Sequence, residues 1–160
     1  MILFEKLHPL MTARYRLDWL TQFKLTDIMA IWHLSTEKNE ALIAAKAVNQ
    51  KMSDVMQNRT ITWGILDQQT KILVAIISIS GLATQEATIN LDIKESALSS
   101  FDFADLLDYL LQLLNHHFDV TQFSMTQDHL TATTISQLSQ LETQHIEAHL
   151  QNNKLSFIYR

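Results

Sequence analysis

The sequence predicts a single-domain α/β fold, with a mixed, mainly antiparallel sheet of about seven strands and helices on both faces. Three observations support this prediction. The length of 160 residues lies within the range of one domain, so residues 1–160 are assigned to a single domain. A composition of 47% hydrophobic and 18% charged residues is that of a globular protein. Along the chain, segments of alternating apolar residues are interspersed with segments at helical spacing.

The first predicted elements are a strand and two helices. Residues 14–20 alternate apolar and polar side chains, which predicts a strand. The pair Thr26-Asp27 offers an N-cap before apolar residues at helical spacing, which predicts a short helix over 28–34. A second helix is predicted over 39–57, because its apolar residues recur on one helical face.

The middle of the chain predicts three strands. Residues 60–66 and 72–80 are rich in β-branched side chains, and the polar segment that begins at Asp67 separates them, so the two are expected to form a hairpin. Residues 87–93 alternate strictly, which predicts a further strand. In that strand Asp92 lies on the face opposite the apolar side chains.

The clearest helix is predicted over residues 101–118, where the apolar residues form one broad stripe. This stripe predicts that Leu110 and its apolar neighbours are buried against the sheet. Ser99 with Asp102 fits a capping box, in which Ser99 is the N-cap and the helix follows directly.

The last part of the chain predicts a strand, a helix and two more strands. These are a strand over 120–125, a helix over 131–141, a strand over 143–150, a tight turn at Asn152-Asn153 and a strand over 155–159. Because this last strand ends the chain, it is expected at the edge of the sheet. Edges of such sheets often pair between subunits, so the sequence predicts a homodimer.

Composition excludes several classes of function. A net charge of −5 argues against a nucleic-acid binder, and the lack of cysteine excludes disulfides, thiol catalysis and Cys-ligated zinc. With two glycines, the chain can build neither a Walker A loop nor a dinucleotide fingerprint. The first residues are too charged for a signal peptide, and the longest apolar stretch, 72–77, is far shorter than the roughly 20 residues that span a bilayer. We therefore expect a cytoplasmic protein with no nucleic-acid or membrane partner.

Four parts of the sequence carry a family resemblance. They are residues 12–17 followed by 25–27, residues 63–79 with Trp63-Gly64-Ile65 and the Asp67 turn, residues 106–109, and residues 134–138. Together with the order of the elements, they resemble the GNAT superfamily of acyl-CoA-dependent N-acetyltransferases over essentially the whole chain. The nearest branch is the one that modifies the N-terminus of ribosomal proteins. The resemblance implies a GNAT fold and transfer of an acetyl group from acetyl-CoA to a primary amine, on a small molecule or a peptide.

The resemblance also implies where acetyl-CoA binds. In the superfamily, a short motif opens the long helix, and its backbone N–H groups hold the pyrophosphate. The motif consists of Gln or Arg, two residues of any type, Gly, one residue of any type, and Gly or Ala. The corresponding window is 98–103, with Leu98, Phe101 and Phe103 at the three specified positions. The implied co-substrate-binding residues are Ile93, Ser99, Ser100, Phe101, Asp102, Phe103 and Thr131.

Two interpretations of this helix start remain open. Asp102 and Asp105 stabilise the positive end of a helix but would repel a pyrophosphate. The segment is therefore either a structural helix that supplies its own carboxylates or an acyl-CoA site with unusual side chains. In the second case, the like charges predict that acetyl-CoA binds weakly or not at all.

Thr134 and Asp92 are the candidate catalytic residues. The Thr134 hydroxyl stands at the superfamily's Ser position, where it would return a proton to the departing thiolate, and its alternative is a helix residue hydrogen-bonded to backbone. Asp92, or Glu86 at the other end of the same strand, would accept the proton of the attacking amine, and the alternative is a solvated strand residue. Strand backbone would polarise the thioester carbonyl.

Two further patterns have simple alternatives. His145, Glu147 and His149 share a strand face that could chelate a metal, but a half-exposed strand produces the same alternation, so no metal site is predicted. Aromatic residues at strand and helix spacing either line an acceptor pocket or belong to the core, and these are Tyr15, Trp19, Phe23, Trp32 and Trp63. The alternatives to acetyl transfer are accordingly a non-catalytic GNAT-fold binding or dimerisation module and a small-molecule sensor.

Overall fold

A computed structural model describes residues 3–35, 37–98, 100, 102–126, 146–151 and 154–159. The strands are β1 (Leu10–Met11), β2 (Tyr15–Asp18), β3 (Thr60–Asp67), β4 (Ile72–Ser80), β5 (Glu86–Ile93), β6 (Gln122–Thr126), β7 (Ile146–Gln151) and β8 (Lys154–Tyr159). The α-helices are α1 (Leu25–Ile31), α2 (Lys38–Met56) and α3 (Phe103–Phe118). Short 3-10 turns cover Phe4–Lys6, Leu20–Gln22 and Glu95–Ala97.

The described strands form one sheet in the order β1-β2-β3-β4-β5-β6-β8-β7. Neighbouring strands pair antiparallel except β5 and β6, which pair parallel. The predicted α/β class with a mixed, mainly antiparallel sheet is thus confirmed. The described strands number eight rather than about seven, because the two-residue strand β1 is too short to carry a period. That residues 1–160 form one domain stays a prediction.

Helices cover both faces of the sheet, as predicted. Adjacent residues of a strand point to opposite faces, and in β4 Ile77 belongs to one buried cluster with the apolar side of α3, while Ile76 belongs to another with Ile28 and Ile31 of α1. The helix and strand bounds agree with the predicted ones to within a few residues, but the N-cap of α1 is Lys24, so the cap predicted at Thr26-Asp27 was wrong. The predicted helix over 131–141 and the turn at Asn152-Asn153 lie outside the described residues.

The long helix α3 confirms the burial prediction and corrects the predicted start. Leu110 is 1% exposed, and the Leu residues one turn before and after it are fully buried. The helix begins at Phe103 with Asp102 as its N-cap, and the Asp102 side chain makes no capping hydrogen bond. The capping box was wrong because the chain first makes a separate 3-10 turn over Glu95–Ala97, which the Ser100 N–H extends by donating to the Ala97 carbonyl at 3.1 Å.

The last strand is not at an edge of the described sheet, which corrects the sequence-based argument for an open edge there. Strand β8 pairs with β6 through Phe123 and Phe157, and on its other side it pairs with β7. The Phe157 ring is fully buried. Sequence alternation identifies a strand but does not reveal its neighbours, so the outer position of β7 was missed. The homodimer stays a prediction, without support from an edge at β8.

The buried carboxylate of Asp67 anchors the end of β3 through partly buried polar contacts. The Gln69 N–H donates to Asp67 Oδ1 at 2.9 Å, and the Arg14 guanidinium donates to Oδ2 at 3.2 Å. Burial alone would raise the pKa of this carboxyl, but these hydrogen bonds and the positive charge outweigh burial and hold the pKa of Asp67 below its ordinary value. The ionised form of Asp67 therefore stabilises the fold.

Asp67→Asn is expected to lower the free energy of unfolding at neutral pH by about 1–3 kcal/mol, because the Arg14 and Gln69 donors lose a charged, buried acceptor. A folded-state pKa below the ordinary value means that this stabilisation is present above about pH 4 and is lost as pH falls through the folded-state pKa. The gap between the two proteins should therefore close in acid. Urea unfolding at several pH values measures it.

Asp54→Asn is the matched control. The Arg59 guanidinium also lowers the pKa of Asp54, but both side chains are partly exposed, so water screens the pair and the loss should be below about 1 kcal/mol. Equal losses in the two variants, or a gap at Asp67 that does not change with pH, would contradict the assignment.

Candidate active site

The parallel strands β5 and β6 pair over part of their length. Their pairing runs from Glu86–Gln122 to Ile89–Met125, while β5 continues beside β4 as far as Ile93. The Lys94 N–H donates to the Val74 carbonyl at 2.7 Å, on the β4 side. Since backbone groups alternate between the two sides of a strand, those of Leu91 and Ile93 point away from β4, where no described strand lies beside them.

A cavity of about 450 Å³ opens at this end of β5. It is lined by Ile31, Trp32, His33, Asp92, Ile93, Glu95 and Leu98. Asp92 is half-buried and stands opposite Ile76 of β4, on the face that α1 covers. The structure thus brings two of the predicted residues, Asp92 and Ile93, into one cavity.

Two lining residues, His33 and Glu95, were missed in the sequence. Helix α1 ends at Ile31, and His33 follows with a φ of 58°, in the left-handed region. Helices often stop this way at a glycine, but no glycine stands here to signal it. Glu95 lies in the turn after β5, and a second carboxylate three residues beyond Asp92 was the available signal.

The start of α3 is occupied by groups of the protein itself. The Asp102 N–H donates to Tyr15 Oη at 2.9 Å, so the strand β2 supplies an acceptor to the helix. The Phe103 ring is 1% exposed and belongs to the core, so it does not cover the exposed helix start. Asp102 and Asp105 are both exposed there. Their charges oppose binding of an external anion at this end of the helix.

The contact between Tyr15 and the start of α3 was also not predicted from the sequence. The sequence analysis placed Tyr15 either in the core or in the lining of an acceptor pocket. In the structure its hydroxyl accepts the N-cap N–H of α3. Burial raises the pKa of Tyr15, although the Asp102 hydrogen bond and the Arg14 charge act in the opposite direction. The Arg14 guanidinium lies 5.3 Å from the centre of the Tyr15 ring. The tyrosine therefore remains a neutral hydroxyl at physiological pH.

The remaining predicted residues divide into those placed elsewhere and those not described. Glu86 lies at the other end of β5 from the cavity, with its carboxylate 3.8 Å from Lys154 Nζ, so of the two base candidates only Asp92 lines the cavity. Ser100 donates through Oγ to the Ala97 carbonyl at 3.5 Å. Ser99, Phe101, Thr131, Thr134 and His145 lie outside the described residues, so their roles stay predictions.

The aromatic residues do not form one pocket. Trp19 and Trp63 are buried with their rings parallel and 6.3 Å apart, and Tyr15 is buried in the same cluster. Phe23 lines a separate cavity of about 290 Å³, where its ring packs on Gly64 so closely that a Cβ there would meet it at 2.6 Å. Trp32 alone of the five lines the cavity at β5. The core interpretation therefore holds for most of them.

No protein-family model and no curated protein sequence matches the chain. Solved structures match it over nearly its whole length. A Vibrio cholerae structure described as a ribosomal-protein-serine acetyltransferase has a TM-score of 0.67 at 13% identity, covering 94% of this chain and 95% of the other. The chain has the GNAT fold. The resemblance predicted from the sequence is thereby confirmed for the architecture.

Two further structures agree with this assignment. The acetyltransferase from Salmonella typhimurium that modifies the N-terminal serine of ribosomal protein L7/L12 has a TM-score of 0.64 at 11% identity, with 93% and 95% of the two chains covered. The ribosomal L7/L12 alpha-N-protein acetyltransferase RimL, in complex with coenzyme A, has a TM-score of 0.65 at 10% identity, with 93% and 94% covered. At such low identity the likeness establishes the GNAT fold, and the activity has to be argued from the site.

Two structural findings concern membranes and metal ions. In the described part of the chain, no helix is both long and apolar enough to cross a bilayer. Nor do the described ranges contain a group of three or more His, Asp or Glu side chains placed to hold a metal ion. Glu147 Oε1 instead lies 3.0 Å from His149 Nε2.

Proposed function

We propose that the protein is an N-acetyltransferase that moves an acetyl group from acetyl-CoA to a primary amine. The observation that carries this proposal is the cavity at the end of β5, where a half-buried carboxylate, Asp92, adjoins strand backbone without a described neighbour. In a GNAT fold, this is a place where an amine and a thioester could meet. The solved GNAT structures with coenzyme A support acetyl-CoA as the co-substrate.

The cavity supplies two functions that acetyl transfer needs. Asp92 is positioned to accept a proton from the ammonium group of the acceptor, directly or through water, so that the free amine attacks the thioester. The backbone N–H groups of Leu91 and Ile93, which point away from β4 and lie beyond the described pairing with β6, would stabilise negative charge on the thioester oxygen. Thr134 remains the proposed donor to the departing thiolate, by its hydroxyl and its position in the sequence.

The two ends of the co-substrate fit the protein unequally. The backbone at Ile93, which has no described strand beside it on the side away from β4, suits the acyl end. The start of α3 disfavours the pyrophosphate, because the Asp102 N–H is engaged by Tyr15 and two carboxylates are exposed there. This observation favours a second candidate function, a non-catalytic GNAT-fold module that binds or dimerises without acyl-CoA. For the acetyltransferase, the proposal includes a small-molecule or peptide amine as the acceptor, a cytoplasmic location and a homodimer.

We expect weak binding of acetyl-CoA to the wild-type protein and tighter binding to Asp102→Lys. Replacing a repulsive charge at the helix start by an attractive one should raise the affinity about tenfold or more. Calorimetry and thermal melting measure the effect, since a ligand at 100 times its Kd adds about 2.7 kcal/mol of stability. Release of coenzyme A in the presence of a primary amine, with the acetylated product detected by mass spectrometry, tests turnover.

Glu5→Lys is the matched control, because it makes the same change of charge far from the site. Glu5 lies beside Phe4, whose ring packs on Phe118 at the opposite end of α3. Tight binding by the wild type would mean that other groups hold the pyrophosphate and would strengthen the enzyme proposal. Neither binding nor turnover in either protein would favour the non-catalytic module.

A further inference from the structure

The charges that line the cavity at β5 select among amines. We infer that the acceptor is a small primary amine with a second positive charge, in which Asp92 faces the reacting amine while Glu95 and Trp32 hold the other cation. The inference rests on the proposed function for the transfer itself, and on the lining of the cavity for the choice of amine.

The lining of the cavity is acidic, and its described residues include two carboxylates. Asp92 and Glu95 both line it, and among the described lining residues neither lysine nor arginine occurs. His33 is the other titratable lining group. The chain from 127 to 145, which is not described, contains no lysine or arginine in its sequence, so it has no such cation to contribute.

The acidic lining of the cavity at β5 is not shared by the cavity beside Phe23. The separate cavity of about 290 Å³ has Arg16, Lys24 and Lys71 in its lining, together with two aspartates. That cavity therefore has charges of both signs in its lining, whereas the one at β5 has carboxylates without lysine or arginine. The one at β5 suits a cation, since opposite charges attract strongly in partly desolvated sites.

The second carboxylate has no role in the transfer proposed so far. Acetyl transfer requires one proton acceptor, and Asp92 supplies it. Neither Asp92 nor Glu95 forms an ion pair or a side-chain hydrogen bond with any residue in the described ranges. A cationic ligand would provide the missing partner for Glu95 without blocking Asp92.

Trp32 adds an aromatic surface to the same wall. Its side chain is half-buried at the end of α1 and lines the cavity with Ile31 and Leu98. An indole face attracts an ammonium group, and the apolar neighbours suit a short methylene chain between two amines. The volume of about 450 Å³ is that of a small-molecule site.

The test compares three amines with the same four-carbon chain: putrescine, butylamine and γ-aminobutyrate, whose far ends are positive, apolar and negative. We expect kcat/KM for putrescine to exceed that for butylamine by about tenfold, with γ-aminobutyrate the poorest acceptor. Glu95→Gln should bring the ratio of putrescine to butylamine close to one. Glu86→Gln, which removes a carboxylate at the other end of β5, should keep the wild-type ratio.

Calorimetry of putrescine and butylamine without acetyl-CoA gives a readout that does not depend on transfer. Preferential binding of putrescine that disappears in Glu95→Gln supports the assignment of this cavity to an amine with two positive charges even if no amine is acetylated, in which case only the proposed acetyl transfer fails. Equal binding and equal kcat/KM for the two amines would overturn the inference while leaving the acetyltransferase proposal intact. A preference for putrescine that persists in Glu95→Gln would also overturn it.

Discussion

Asp92→Asn is expected to lower kcat/KM for acetyl transfer by about 10²- to 10⁴-fold, the usual contribution of a positioned general base. The amide keeps the size and shape of the side chain but accepts no proton at neutral pH. Asp92 lies in the cavity at the Ile93 end of β5, half-buried and on the α1 side of the sheet. Initial rates of coenzyme A release at saturating acetyl-CoA measure the loss.

The control for this variant is Glu86→Gln, which neutralises the carboxylate at the other end of the same strand and should retain the wild-type rate. Thermal melting of both variants checks that they are folded. An undiminished rate in Asp92→Asn would remove Asp92 from the proposed chemistry. It would leave Glu95 as the carboxylate to replace next in the same assay.

Leu110→Ala is expected to lower the free energy of unfolding by about 2–5 kcal/mol, through lost transfer energy and the cavity left behind. Leu110 lies in the middle of α3 and is 1% exposed, within the cluster that includes Ile77 of the sheet. Helix α3 and the sheet surround the Leu110 side chain, so the neighbouring side chains can fill only part of the space that it leaves. Urea denaturation followed by circular dichroism measures the change in midpoint and slope.

Gln112→Ala is the comparison for Leu110→Ala. Gln112 is two residues further along the same helix and exposed, so its replacement should change the free energy of unfolding by no more than about 0.5 kcal/mol. Similar values for the two variants would mean that α3 does not pack on the sheet through the Leu110 side.

Long, periodic elements could be predicted from the sequence, and short ones could not. The stripe that defines α3 and the alternation in β5 each extend over many residues, so the period is unambiguous. Strand β1 has two residues and shows no period. Helix α3 begins later than predicted, at Phe103, because a separate 3-10 turn over Glu95–Ala97 precedes it. No capping pattern in the sequence indicates this turn.

The candidate site was predictable where it belongs to one strand, and not where it depends on distant segments. Asp92 and Ile93 follow from the pattern of β5 and the family resemblance. His33 reaches the same cavity only because the core under α1 packs that helix against β4. The contact between Tyr15 and Asp102 joins residues that are 87 positions apart, and no local pattern records such a pairing.

The Tyr15 hydroxyl gives the N-cap N–H of α3, that of Asp102, a hydrogen-bond partner that requires no bound anion. A helix end that relies on a ligand for its hydrogen bonds gains stability only in proportion to the ligand present. Here the hydrogen-bond acceptor, Tyr15 Oη, belongs to the chain itself, so the fold fixes its effective concentration beside the Asp102 N–H. Strand and helix therefore stay joined in the free protein, and a loss of co-substrate affinity over evolutionary time would carry no folding penalty at this junction.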